Sequence, residues 1–156
     1  MPMRWRSALP DVTGAEHEWV NGERTKAELE GRPTLVHFWA AGCERSREGL
    51  PIVKAWQEAY GPDADGGLRV IGVHTPRSGT DADRDADSAQ AAKAEIARQG
   101  LTHPVLLDEG REAAAAFRNE CVPAYYLFDR EGRLRHRQVG ERGLSMLERR
   151  IHKVIE

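Results

Sequence analysis

Leu35-Val36-His37-Phe38-Trp39-Ala40-Ala41-Gly42-Cys43-Glu44-Arg45-Ser46 carries the chain from an apolar run, through a turn of small residues, into a charged segment. Residues 34–39 are a mainly β-branched and aromatic run bounded by turn residues, which reads as a buried strand. Beyond Gly42 the period changes. Leu50, Val53, Trp56 and Tyr60 fall at helical spacing, interrupted by Pro51, and predict a helix over roughly residues 43–60. Residues 68–74 (Leu-Arg-Val-Ile-Gly-Val-His) read as another buried strand. Strand, helix and strand in that order make a parallel crossover unit.

Downstream, residues 88–99 read as a polar, Ala-rich helix ending at Gly100, residues 104–107 as a short strand, and residues 110–118 as a helix. The last third changes character. Residues 124–129 and 133–139 read as strands joined by Arg130-Glu131-Gly132, a hairpin signal. Leu144, Leu147, Ile151 and Val154 then mark one face of a closing amphipathic helix. The expected architecture is α/β: a mixed central sheet with helices on both faces, in a single domain spanning residues 1–156.

The 156 residues suit one core, and 40% hydrophobic with 31% charged residues is a globular profile. A net charge of −2 supplies no global field for nucleic acid or an anionic membrane, so neither is an expected partner. No apolar run approaches the roughly 20 residues that span a bilayer. Arg4 and Arg6 are not followed by an apolar h-region, so no secretory signal is read. Two cysteines, Cys43 and Cys121, make no disulfide framework. Together these features lead to the expectation of a cytoplasmic protein in a reducing compartment.

Cys43 follows the first strand and opens the helix. Helix N-termini present unpaired N–H groups and the positive end of the dipole, and both favour a thiolate over a thiol. Arg45 and Arg47 add positive charge in the first turn. Two readings of Cys43 stand at this point: a nucleophile, or a small buried hydrophobe.

The segment from Leu35 to Ser46 resembles the active-site region of the thioredoxin superfamily, above all its TlpA/ResA-like and DipZ C-terminal-type redoxins. That family reads Phe-Trp-Ala, two more residues, then Cys-x-x-Cys. Pro51 stands eight positions past Cys43, where the family's helix carries its kinking proline. Val122-Pro123 followed by Ala124-Tyr125-Tyr126-Leu127-Phe128-Asp129 looks like the family's cis-proline loop and the strand after it, and residues 70–76 are similar to the DipZ-type segment between. The resemblance spans roughly residues 10–156. It implies a thioredoxin-like fold, thiol–disulfide exchange with protein or low-molecular-weight thiols and disulfides, no cofactor, and a substrate-facing set of Trp39, Gly42, Glu44, Arg45, Val122 and Pro123. Pro123 read by itself also fits a trans proline opening an edge strand.

This chain departs from the family pattern at two places, and a second cysteine bears on the first of them. Ser46 stands where the second cysteine belongs, and a hydroxyl cannot close a disulfide with Cys43. Ser46 can instead donate a hydrogen bond to the Cys43 sulfur one turn away. His37, six positions before Cys43, occupies the place of a buried acid in many thioredoxins. It reads either as an acid–base group or as a core histidine satisfied by a backbone carbonyl. Cys121, two residues before Pro123, is a candidate resolving thiol, unless strand alternation turns it outward.

Asp81, Asp83, Asp85 and Asp87 alternate like a calcium loop, but residues 86 and 92, where such a loop needs Gly and Glu, are both Ala. They read as a solvated loop leading into a helix. His37, His74 and Cys43 lack the short ligand pair of a structural zinc site, so no metal is expected. Three functions compete. The leading one is exchange through a single cysteine with an external resolving thiol. The others are a thioredoxin-fold binding module without turnover, and a peroxiredoxin-like peroxidase. Peroxiredoxins keep Thr or Ser three positions before the reactive cysteine, where this chain has Ala40.

Overall fold

The computed structural model describes residues 2–11, 17–61, 67–140 and 142–156. Its elements are β1 (Glu18–Val20), α1 (Lys26–Leu29), β2 (Thr34–Trp39), α2 (Glu44–Tyr60), β3 (Arg69–His74), α3 (Asp81–Ala86), α4 (Ala89–Gln99), β4 (Val105–Leu107), α5 (Glu112–Ala116), β5 (Ala124–Phe128), β6 (Leu134–Val139) and α6 (Leu144–Ile155). One six-stranded sheet runs β1-β4-β3-β2-β5-β6. β2, β3 and β4 are parallel neighbours, while β1, β5 and β6 pair antiparallel.

Every residue of β2 is buried, because helices cover both faces of the sheet and leave no solvated side to alternate toward. Its side chains still divide by face. Val36 and Phe38 pack with Phe117, just past α5, and with Tyr126 and Phe128. Leu35 packs with Val53 and Trp56 of α2 and Leu147 and Ile151 of α6, and Trp39 with Leu50 of α2 and Ile96 of α4. Leu35, Val36, Phe38, Val70, Ile71, Val73, Leu127 and Phe128, the core read from the strand runs, are all buried. The apolar face of α6 likewise buries Leu144, Leu147 and Ile151.

The hairpin at 130–132 closes through Asp129. Its carboxylate oxygen Oδ1 accepts from the N–H groups of Glu131 and Arg133, and Gly132 takes the left-handed φ of +74° that the turn needs. The strand β1 escapes sequence reading because its Glu-Trp-Val shows neither a period nor an apolar run, whereas the equally short β4 is legible as Val-Leu-Leu. Residues 81–86 correct the expectation of a loop: they form a short helix, α3, started by the Thr80–Asp83 capping box. Asp87, just beyond it, is fully buried rather than solvated. None of the described helices is long and apolar enough to cross a membrane.

Candidate active site

The parallel strands β2 and β3 deliver their C-terminal ends side by side, with Trp39 opposite His74. The antiparallel β5 starts at the same end, with Ala124 opposite Phe38. The loop after β2, the loop after β3 and the segment before β5 therefore gather at one edge of the sheet. This is the end where open α/β sheets hold their ligands.

Cys43 is the N-cap of α2 and half-buried, with extended dihedrals of φ −95° and ψ 114°. Its N–H donates to Ala40 O at 3.0 Å, and its own carbonyl accepts from Arg47 N at 3.0 Å. The three residues before it are each held. Ala40 N donates to Ser46 Oγ at 3.3 Å, Ala41 N to His74 Nε2 at 3.0 Å, and Gly42 N to Asp87 Oδ1 at 2.8 Å. Arg47 Nη1 donates to Ala41 O at 2.8 Å. Gly42 admits no side chain, since an added Cβ would lie 2.6 Å from Arg77 Nη2 and 2.7 Å from Asp87 Oδ1.

Asp87 is the hub. Besides Gly42, its Oδ2 accepts from the Arg77 backbone N–H at 2.8 Å and from Arg77 Nε at 2.9 Å. Burial pushes the Asp87 carboxyl up, but the bonds from Arg77 and Gly42 outweigh it and hold it below its ordinary value. Asp87 in turn raises Arg77, with Asp83 and Cys43 adding smaller contributions in the same direction. His74 must be neutral at Nε2 to accept from Ala41, and burial does lower it, to about 4.

Ser46 is buried, and its described hydrogen bond comes from the Ala40 backbone. Among the described residues no hydrogen bond joins Ser46 to Cys43. The hydroxyl occupies the second-cysteine position as a brace for the loop. His37 is also buried, and its Nε2 lies 2.8 Å from His103 Nε2, above Gly72. Its partner is another imidazole rather than a backbone carbonyl, and no described hydrogen bond links it to Cys43. Trp39 corrects an expectation: it lies in the core, edge-on to His74 at 4.8 Å, because its strand position points it under α2 and α4. Glu44 and Arg45 are exposed beside Cys43.

The Val122–Pro123 peptide is cis. Pro123 is buried, and Val122 lines a groove of about 270 Å³ together with Cys121, Glu120, Arg77 and Arg111. Cys121 is exposed and, like Cys43, a free thiol. Among the described residues no group of three His, Cys, Asp or Glu is arranged to hold a metal. Arg77 was missed as a site residue, and His74 and Asp87 were weighed only as metal ligands. The only sequence signal for Asp87 was its place at the end of an aspartate series that favours exposure, so it pointed the wrong way.

Residues 6–137 match the model of the AhpC/TSA family. The chain is 40% identical to the thiol-disulfide oxidoreductase YkuV of Bacillus subtilis, covering 98% of this chain and 97% of that protein. It is 32% identical to protein DipZ of Mycobacterium tuberculosis, over 94% of this chain and only 20% of DipZ. The solution structure of a thioredoxin-like protein in the oxidised form superposes with a TM-score of 0.82 at 38% identity, covering 98% of this chain and 97% of that one. With the family model covering most of its length and the sheet, helices and cis-proline segment in place, the chain belongs to the AhpC/TSA family and has a thioredoxin-like fold.

Proposed function

We propose that this protein is a thiol–disulfide oxidoreductase working through one reactive cysteine, Cys43. The observation that carries the proposal is a half-exposed cysteine capping α2, with the preceding loop pinned at three successive residues and a serine in the position of a second thiol. The Cys43 thiolate attacks a substrate disulfide. A bond forms between Cys43 Sγ and one substrate sulfur, the substrate S–S bond breaks, and the other sulfur leaves as a thiolate. An external thiolate then attacks the mixed disulfide, frees Cys43 and becomes part of the new disulfide, so the electron pair comes from that thiol. Protein and small-molecule disulfides both qualify as substrates. A reducing cytoplasmic setting belongs to the same proposal, its motive being a chain with only two cysteines. The name of the Bacillus relative favours exchange over peroxidase chemistry, as does Ala40.

Mass spectrometry after treatment with oxidised glutathione tests the reading. The expected product is a mixed disulfide on Cys43 that persists until a thiol is added. In Ser46→Cys, which restores the family pair, the end state becomes an intramolecular disulfide, and insulin reduction with dithiothreitol speeds up. Sulfenic acid at Cys43 after peroxide, with no glutathione adduct, would install the peroxidase. No modification by either reagent, together with a silent Ser46→Cys, would install the binding module, whose motive is the Ser46 replacement itself.

A further inference from the structure

The groove beside Val122 has a charge pattern that the exchange chemistry does not require. Arg77 and Arg111 enter it from different elements, one from the turn after β3 and the other from the left-handed residue capping α5. Each is already anchored by part of its guanidinium. Arg77 gives Nε and Nη2 to Asp87, with Asp83 Oδ1 3.7 Å from the same Nη2, and Arg111 gives Nη1 to the carbonyl of Pro76. Arg77 Nη1 and Arg111 Nε and Nη2 have no described partner. Two guanidinium groups held in place with donors left over are pre-ordered for carboxylates, which need planar, paired N–H groups. Glu120 is the one carboxylate lining the groove, and it is exposed. Beneath, Asp108 is buried and accepts from Thr75 Oγ1 and the N–H groups of Ala113 and Ala114, so its oxygens are engaged there and make no described bond to either arginine.

The groove adjoins the Cys43 loop through Arg77, whose Nη2 packs against Gly42. At about 270 Å³ it sits just under the lower end of the roughly 300–1,000 Å³ of small-ligand sites, and it suits a fragment of peptide size rather than a folded partner. We infer that this groove holds the carboxylate-bearing half of a low-molecular-weight disulfide presented to Cys43, with Arg77 and Arg111 as its recognition groups. The inference rests on the single-cysteine reading and adds the substrate class: an anionic, glutathione-like disulfide. The covalent step is the exchange already described.

The test separates recognition from chemistry. S-methylglutathione carries the carboxylates but cannot exchange, so its binding, followed by titration calorimetry and by arginine side-chain NMR signals, reads the groove alone. Wild type should bind it, more weakly as salt rises, with shifts at Arg77 and Arg111. Arg111→Ala, which leaves the Asp87 contacts intact, should weaken binding by about tenfold, the loss of one charge-assisted contact. Arg77→Gln is the second variant. The chemical arm compares oxidised glutathione with neutral hydroxyethyl disulfide. Arg111→Ala should raise the KM for oxidised glutathione with little change in kcat and leave the neutral disulfide unaffected. No binding by wild type, equal binding by Arg111→Ala, or equal losses on both disulfides would overturn the groove assignment. Binding of S-methylglutathione without reaction of Cys43 toward either disulfide would support the groove and overturn the single-cysteine chemistry.

Discussion

Asp87 with Arg77 and His37 with His103 are both polar pairs taken out of water, and they meet that cost in opposite ways. Asp87 stays charged, because an arginine and two backbone N–H groups replace its hydration. The histidines stay neutral. Burial lowers His103 to about 4, and burial, with a further push from the charge His103 carries once protonated, takes His37 well below its ordinary value. With Nε2 facing Nε2 at 2.8 Å, one ring donates and the other accepts, so a second proton there would set two donors against each other. The charged pair grips the residue before Cys43, and the neutral pair lies over Gly72 inside the sheet. The first is built into the site, and the second is built into the core.

The expected effects, from largest to smallest, test that division. Cys43→Ser sets the floor: exchange with oxidised glutathione should fall to background, because neither pair contains a nucleophile. Residual turnover above that of a blank would move the chemistry to Cys121. Asp87→Ala should come next, costing about 3 kcal/mol in urea unfolding, since it strands Arg77 and the Gly42 N–H. It should also slow exchange, and a variant as stable and active as wild type would show that the clamp is incidental.

The neutral cluster should reveal itself through pH. His37, His74 and His103 are all depressed in the folded state, so between pH 6.5 and about 4 the unfolded chain binds protons that the native state refuses. Stability should therefore fall as pH falls through that window, by about 1.4 kcal/mol per pH unit for each histidine concerned. Asp87, held below 3.8, keeps its contribution throughout the window and loses it only at lower pH. Unfolding midpoints at pH 7, 6 and 5 measure the slope, and His103→Gln should reduce it. A flat profile would mean that these imidazoles are protonated when folded. The smallest effect concerns exchange by His103→Gln at pH 7, expected within about twofold of wild type, the range of changes near 0.5 kcal/mol. A large loss would return His37 and its partner to the catalytic machinery.

Legibility in the sequence followed range. The strand at 34–39, the helix opened by Cys43 and interrupted by Pro51, the closing helix and the 130–132 turn were readable because period and turn chemistry are local properties. The thioredoxin-like likeness was carried by short stretches around Cys43 and Pro123. The site's supports were not readable. Asp87 meets Gly42 across 45 positions, His74 meets Ala41 across 33, and His37 meets His103 across 66. A window of a dozen residues sees each of them only as an ordinary surface aspartate or an unexplained core histidine.

The sequence by itself determined the order of strands and helices from β2 onward, α3 apart, the presence of one cysteine at a helix start, and the serine that rules out a disulfide within that turn. Those facts depend on residue type and spacing along the chain. The tertiary structure decided which polar groups lose water and which partners replace it. It turned Trp39 into the core, made Ser46 a brace for Ala40, withdrew Asp87 from solvent and set two arginines in one groove. Burial is a property of what the rest of the chain lays over a residue, and the energy of a buried polar group is fixed by the partners that meet it there.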